Sequence, residues 1–170
     1  MAPALPEVPA PVPALLEVSP TPAGALLRRL RARVPGRWLV DAARGADADT
    51  DSIAEAVHNA ASGDQIRIRP GGYRENLRVD KDLAFLGEGE GAAEVVIDGG
   101  ASAALRVESS EVVLRRLTLV SSGEGASLDV SRARLSLSQV VFRPGPKGAG
   151  LAMDGGSLSA AECRWEGGRA

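Results

Sequence analysis

From Ala103 onward the apolar residues of the chain come in i, i+2 pairs, and the pairs return every 23 residues. Ala103–Gly125 reads AALRVESSEVVLRRLTLVSSGEG, Ala126–Gly148 reads ASLDVSRARLSLSQVVFRPGPKG, and Ala149–Ala170 reads AGLAMDGGSLSAAECRWEGGRA, one residue shorter. Aligned without gaps, Leu105 stands with Leu128 and Leu151, and Val107 with Val130 and Met153. Val112 stands with Leu135 and Leu158, Leu114 with Leu137 and Ala160, Leu117 with Val140 and Cys163, and Leu119 with Phe142 and Trp165. A spacing of two is the period of a strand, whose side chains alternate between faces. Three pairs per unit predict three short strands per turn of a solenoid, stacked with rungs about 4.8 Å apart. No single turn can bury its apolar face alone, so the core comes from stacking. The pattern predicts an all-β chain: a right-handed, single-stranded parallel β-helix. Cys163 falls in an interior column and is expected to be a small core residue rather than a nucleophile.

Upstream of the repeat the same alternation continues with irregular spacing. Trp38–Val40, Gln65–Arg69, Asn76–Val79, Leu83–Leu86 and Val95–Ile97 read as strands separated by glycine-rich turns, Pro70–Gly72 among them. One stretch has a helical period instead. Ser52 followed by Glu55 forms a capping-box pattern, in which Ser52 accepts a backbone N–H and Glu55 reaches back. Ile53, Ala56, Val57 and Ala60 then share one face, predicting a capping helix over about 52–61. Asp47, Asp49 and Asp51 alternate just before it, without the glycine and distal glutamate that a calcium loop needs, and read as a capping turn. His58 lies off the apolar face and is expected to be exposed.

The first 37 residues have neither pattern. Pro3, Pro6, Pro9, Pro11, Pro13, Pro20 and Pro22 interrupt the segment before Gly24, removing backbone donors and fixing φ. It reads as an extended, largely disordered linker. Ala25–Val34 puts Leu26, Leu27, Leu30 and Val34 on one face and Arg28, Arg29, Arg31 and Arg33 largely elsewhere, and Pro35–Gly36 stops it. This short basic amphipathic segment suits either a membrane surface or partner, or a linker helix at the solenoid. The predicted organisation is therefore a linker over 1–37 and a β-helix over 38–170, with 23-residue coils from 103.

Composition narrows the function. Apolar residues make up 44% of the chain and aromatics only 3%, so aliphatic and small residues must build the core, as a thin solenoid interior allows. The net charge of −2 argues against a nucleic-acid partner, which a basic face would mark. A single cysteine excludes an internal disulfide. One histidine and no cluster of ligands leave no ordinary zinc site, and no cofactor fingerprint is present. The proline-broken N-terminus has no basic n-region and no segment spans a membrane, so the location expected is cytoplasmic.

The stretches Ser52–Val57, Gly63–Leu77 (GDQIRIRPGGYRENL), Leu83–Gly89 and Val96–Gly99 resemble the N-terminal part of pectin-lyase-fold proteins. That group includes pectin methylesterases, bacterial β-helix repeat proteins and copper-site maturation proteins. The resemblance implies the fold. A copper or metal-maturation role is disfavoured by the scarcity of Met and His. It carries the esterase chemistry poorly. Where the esterases have Gln-Ala-x-Ala-Leu-Arg-Val, this chain has Ala101–Val107, with Ala101 in place of the glutamine. Gly123–Ala126 keeps an acid, Glu124, but no amide, and the family's Asp-Phe-x-Phe-Gly and Arg-Pro-Trp have no counterpart. Tyr73 and Glu75, in the Gly71–Glu75 signature, are expected to pack and to satisfy donors at the helix-capped end.

Two function classes follow. The first is a non-catalytic binding or scaffolding module that recognises a protein partner or a glycan, or self-associates, through an open C-terminal end where no capping segment follows Trp165. The second is a carbohydrate-active enzyme. Its candidate catalytic residues are the outward-facing Glu108, Asp129 and Asp154, whose rung spacing suits the two-carboxylate separation of about 5–9.5 Å used in glycoside hydrolysis. The structural alternative for the same residues is a solvated face with an Arg106–Asp129 ion pair across rungs.

Overall fold

A computed structural model describes residues 36–108 and 110–167. The proline-rich segment and the amphipathic stretch Ala25–Val34 lie outside the described residues. Eleven strands and one α-helix are present among those described: β1 (Arg37–Val40), α1 (Ile53–Asn59), β2 (Gln65–Ile68), β3 (Gly71–Arg74), β4 (Leu77–Val79), β5 (Leu83–Gly87), β6 (Val95–Asp98), β7 (Leu105–Glu108), β8 (Glu111–Val120), β9 (Leu128–Arg143), β10 (Leu151–Ala161) and β11 (Arg164–Trp165). Every ladder pair between them is parallel.

The ladders resolve into three faces. Face I stacks β1, β2, β5, the first half of β8, the middle of β9 and the second half of β10. Face II stacks β3, β6, the end of β8, the end of β9 and β11. Face III stacks β4, β7 and the first residues of β9 and β10. The chain runs from face I to II to III and returns to I one rung higher, which is a parallel β-helix.

Register follows the columns read from the sequence. Leu105 pairs with Leu128 and Leu128 with Leu151; Val112 pairs with Leu135 and Leu135 with Leu158; Leu119 pairs with Phe142 and Phe142 with Trp165. A column on face I runs further, through Trp38, Ile66, Phe85, Leu114, Leu137 and Ala160. The inward members from Ile66 to Leu137 are fully buried. With few aromatics, the interior is a stack of aliphatic layers around Phe85 and Phe142.

Corners have a fixed conformation. Arg116, Gln139 and Glu162, spaced 23 apart at the corner between faces I and II, have φ of 54°, 55° and 53°. This left-handed conformation costs a non-glycine residue roughly 1–2 kcal/mol. Repetition at the same place in successive coils shows that the coil geometry imposes it. One rung below Arg116, Gly87 meets the corner so closely that a Cβ there would lie 2.0 Å from the Arg116 carbonyl oxygen.

Helix α1 closes the N-terminal end. Ile53, Ala56 and Val57 are buried against the first coils. Ser52 Oγ accepts the Glu55 N–H at 3.2 Å. The reciprocal half of the capping box passes through Thr50: its Oγ1 accepts the Ser52 N–H at 3.1 Å and donates to Glu55 at 2.6 Å. The helix ends at Asn59 rather than Ala61, because Ala60 is already extended and Asp64 takes the Ala61 N–H at 3.0 Å.

Two further local expectations are corrected. Gly71 and Gly72 belong to a strand, β3, paired with Val95 and Val96, not to a turn; the burial of Tyr73 two residues on draws the glycines into the ladder. Cys163 packs against the core but is only partly buried, because no described coil lies above it.

Candidate functional site

The candidate carboxylates project from face III, whose outward positions are set by strand alternation. Leu77, Leu105 and Leu128 point in, so Arg78, Arg106, Asp129 and Ala152 form one outward column, and Glu108, Ser131 and Asp154 the next. The structure thus brings Glu108, Asp129 and Asp154 to one outer surface on three successive rungs. It also supplies each of the first two with a guanidinium. Arg78 Nη2 donates to Glu108 Oε2 at 2.7 Å, and Arg106 Nε to Asp129 Oδ2 at 3.2 Å. Asp154 is exposed on β10. Arg78 escapes the sequence pattern because β4 and β7 pair at an offset of 28 residues (Leu77 with Leu105) rather than 23. Surface ion pairs of this kind contribute about 0.2–1 kcal/mol each, so the row stabilises the face only weakly.

Glu75 and Tyr73 of the Gly71–Glu75 signature have structural partners. Glu75 accepts from the Ile53 and Ala54 N–H groups at 3.1 and 2.6 Å and from Ser52 Oγ at 3.2 Å. A carboxylate here meets the unsatisfied donors and positive end of α1. At the other end, Lys81 Nζ donates to the carbonyls of Val57, His58 and Ala60 at 3.0, 3.2 and 2.9 Å. Tyr73 is buried, donates to the Arg69 carbonyl at 2.9 Å and accepts the Ala42 N–H at 3.2 Å. Burial pushes its phenol pKa upward.

Beside it, Asp41 accepts the Ala43 and Gly45 N–H groups at 2.9 and 3.1 Å and pairs with Arg69 at 3.0 Å. Those amides and the guanidinium hold its carboxyl below the ordinary aspartate range. The alternating aspartates serve the turn: Asp47 pairs with Arg69, Asp49 accepts the Leu39 N–H at 2.8 Å, and Asp51 pairs with Arg44. Among the described residues no group of three His, Cys, Asp or Glu is placed to hold a metal ion. His58 is exposed.

The last described coil differs from those beneath it. Leu135 and Phe142 are 1% and 0% exposed, whereas Leu158 and Trp165, which stack on them, are 44% and 53% exposed. Trp165 lies stacked on Phe142 with ring centroids 5.1 Å apart. Leu151, Met153 and Cys163 are partly buried in the other interior columns of that coil. No helix among the described residues is long and apolar enough to cross a membrane.

No protein-family model matches the sequence, and no curated protein does either. The fold is similar to two solved structures. One is a pectin methylesterase mutant crystallised with a hexasaccharide, at 19% identity and a TM-score of 0.65; the other is the pectin methylesterase PemA from Erwinia chrysanthemi, at 18% and 0.67. Each likeness covers 80% of this chain and 50% of the other, so the chain spans about half the length of the structures it matches. At this identity the likeness speaks for architecture, and together with the three parallel faces and the helical cap it identifies the chain as a right-handed parallel β-helix of the pectin-lyase type.

Proposed function

We propose that this chain is a non-catalytic β-helix binding or scaffolding module that docks a protein on its last coil. The observation that supports this reading is the exposure of Leu158 and Trp165 in columns that are closed everywhere below them. Among the described residues β10 and β11 pair only with β9, so a further coil laid on them would extend the ladder and cover both side chains, as β-augmentation does in other sheets. The simplest occupant is a second copy of the chain. Sedimentation velocity over a wide concentration range tests it: the mass rises with concentration, and the double substitution Leu158→Glu with Trp165→Glu abolishes the rise. A monomer at every concentration overturns it.

The second reading, a carbohydrate-active enzyme, draws on the placement of Glu108, Asp129 and Asp154 on one face and on the likeness to two pectin methylesterases. Release of reducing ends from a glycan panel, lost in Asp129→Ala or Asp154→Ala, would favour it over the scaffold.

A further inference from the structure

The charges of the last described coil are unevenly spread. On face I the outward columns that pass through Glu111 and Arg134, and through Arg115, end on this rung in Ser157 and Ala161, with Ser159 between them. The stretch Gly155–Ala161 (GGSLSAA) is exposed throughout and holds no charged residue and no proline. Charges and prolines are common means of keeping an edge strand from pairing, and this edge has neither. Charge returns only at its flanks, with Asp154 before it and Glu162, Arg164 and Glu166 after it. The Asp154 carboxylate has no hydrogen bond or ion pair with any described residue. Arg164 reaches Glu166 at 3.8 Å.

The opposite end of the solenoid has no matching edge. The Asp49 and Thr50 N–H groups donate to the Leu39 carbonyl at 2.8 and 3.4 Å, and the Asp41 N–H donates to the Thr50 carbonyl at 3.0 Å, so the outer side of β1 is occupied. Helix α1 covers the interior beside it. A second copy that adds to the last coil must therefore do so with its own last coil. Such a contact is isologous: a twofold axis crosses the solenoid, and assembly closes at two copies. That axis reverses the direction of the coil. The facing strands then run antiparallel, unlike every ladder pair within the chain.

We propose that two copies pair last coil to last coil with Ser159 on the twofold axis, an inference that rests on the reading of this coil as a docking surface. Strand alternation sets inward residues over inward ones only where the axis falls on a residue. A solenoid end is also a ramp that climbs one rung, about 4.8 Å, per turn, and two ramps fit only when the axis passes near the middle of the coil. Ser159 lies midway between Leu151 and Gly167. Counted outward from it, Leu158 faces the partner's Ala160, a large side chain over a small one. Carried around the corners, the same register sets Trp165 over the partner's Met153, a ring against a thioether, and Arg164 over the partner's Asp154. An axis on Leu158 or on Ala160 instead sets Asp154 against the partner's Glu162 or the partner's Glu166. Of these three central registers, the one at Ser159 joins opposite charges and covers both exposed apolar side chains.

The test is sedimentation velocity of the full chain and of charge reversals at two exposed positions, Asp154→Arg and Arg164→Asp. The mass of the unaltered chain should rise with concentration and level off at a dimer. Each reversal alone sets like charges together twice per dimer and should weaken self-association by roughly tenfold. An equimolar mixture of the two variants should recover it, because both contacts of the mixed pair then join opposite charges. Asp154→Arg with Arg164→Asp in one chain should dimerise like the unaltered protein. A mass that climbs past two copies, reversals without effect, or no recovery in the mixture and the double variant would overturn the head-to-head pairing and leave the last coil a docking surface of another kind. A monomer at every concentration would overturn both.

Discussion

Asp41 shows what a single residue contributes to the start of the coil. It is almost wholly buried, and it accepts two backbone N–H groups and the Arg69 guanidinium. These contacts exist for the ionised carboxylate, so its folded pKa lies below the value of about 3.9 it takes in an unfolded chain. For a depressed acid the stabilisation is complete above the unfolded pKa and is lost as pH falls through the folded one. Thermal melts between neutrality and acid should therefore show Tm falling below about pH 4, and Asp41→Asn should flatten that limb while lowering Tm at neutral pH. An acid limb unchanged by the substitution would remove Asp41 from this role. Tyr73 works in the opposite sense, its raised pKa costing stability only at strongly alkaline pH.

At the scale of elements, α1 depends on partners distant in sequence. Seven residues are too few for an isolated helix to persist in water. Glu75 and Lys81 close its two ends from the loops around β4. Glu75→Ala leaves two backbone donors and the Ser52 hydroxyl without their acceptor, at a cost of about 1–3 kcal/mol. Chemical denaturation should show this loss, and Glu75→Gln should recover part of it because an amide oxygen still accepts. Helix and cap were legible in the sequence, since Ser52, Glu55 and the apolar face are local signals. The Thr50 relay and Lys81 were not, because each depends on the fold bringing separate segments together.

For the whole molecule, legibility tracks coil length. On face I, Gln65 pairs with Ala84, Ala84 with Val113, Val113 with Ser136 and Ser136 with Ser159, so successive offsets are 19, 29, 23 and 23 residues. The repeat is visible only where the offset is constant, which is why the columns from Leu105 onward could be aligned by eye. The first coils vary in length, partly to accommodate the short 3-10 turn Ala92–Glu94, and hide their register. The same irregularity hid the Arg78–Glu108 pair. The three acids were placed on one face by counting alone, but their ion-pair partners needed the structure. Stacking also grades the core by position. Leu135→Ala, with a coil on each side, should cost about 2–5 kcal/mol, whereas Leu158→Ala in the same column should cost far less. Equal losses in denaturant unfolding would contradict this gradient.

The ladder hydrogen bonds run along the solenoid, and among the described residues β10 and β11 have a single ladder neighbour, β9. A pulling force applied near Trp165 and directed along that axis would therefore meet the bonds one rung at a time, not together. Detaching the last coil uncovers β9, which then stands in the same one-sided position. Pulled in this way, the described solenoid yields as a sequence of small steps that begin at Trp165 and travel toward Phe85, reaching the helix-capped end last.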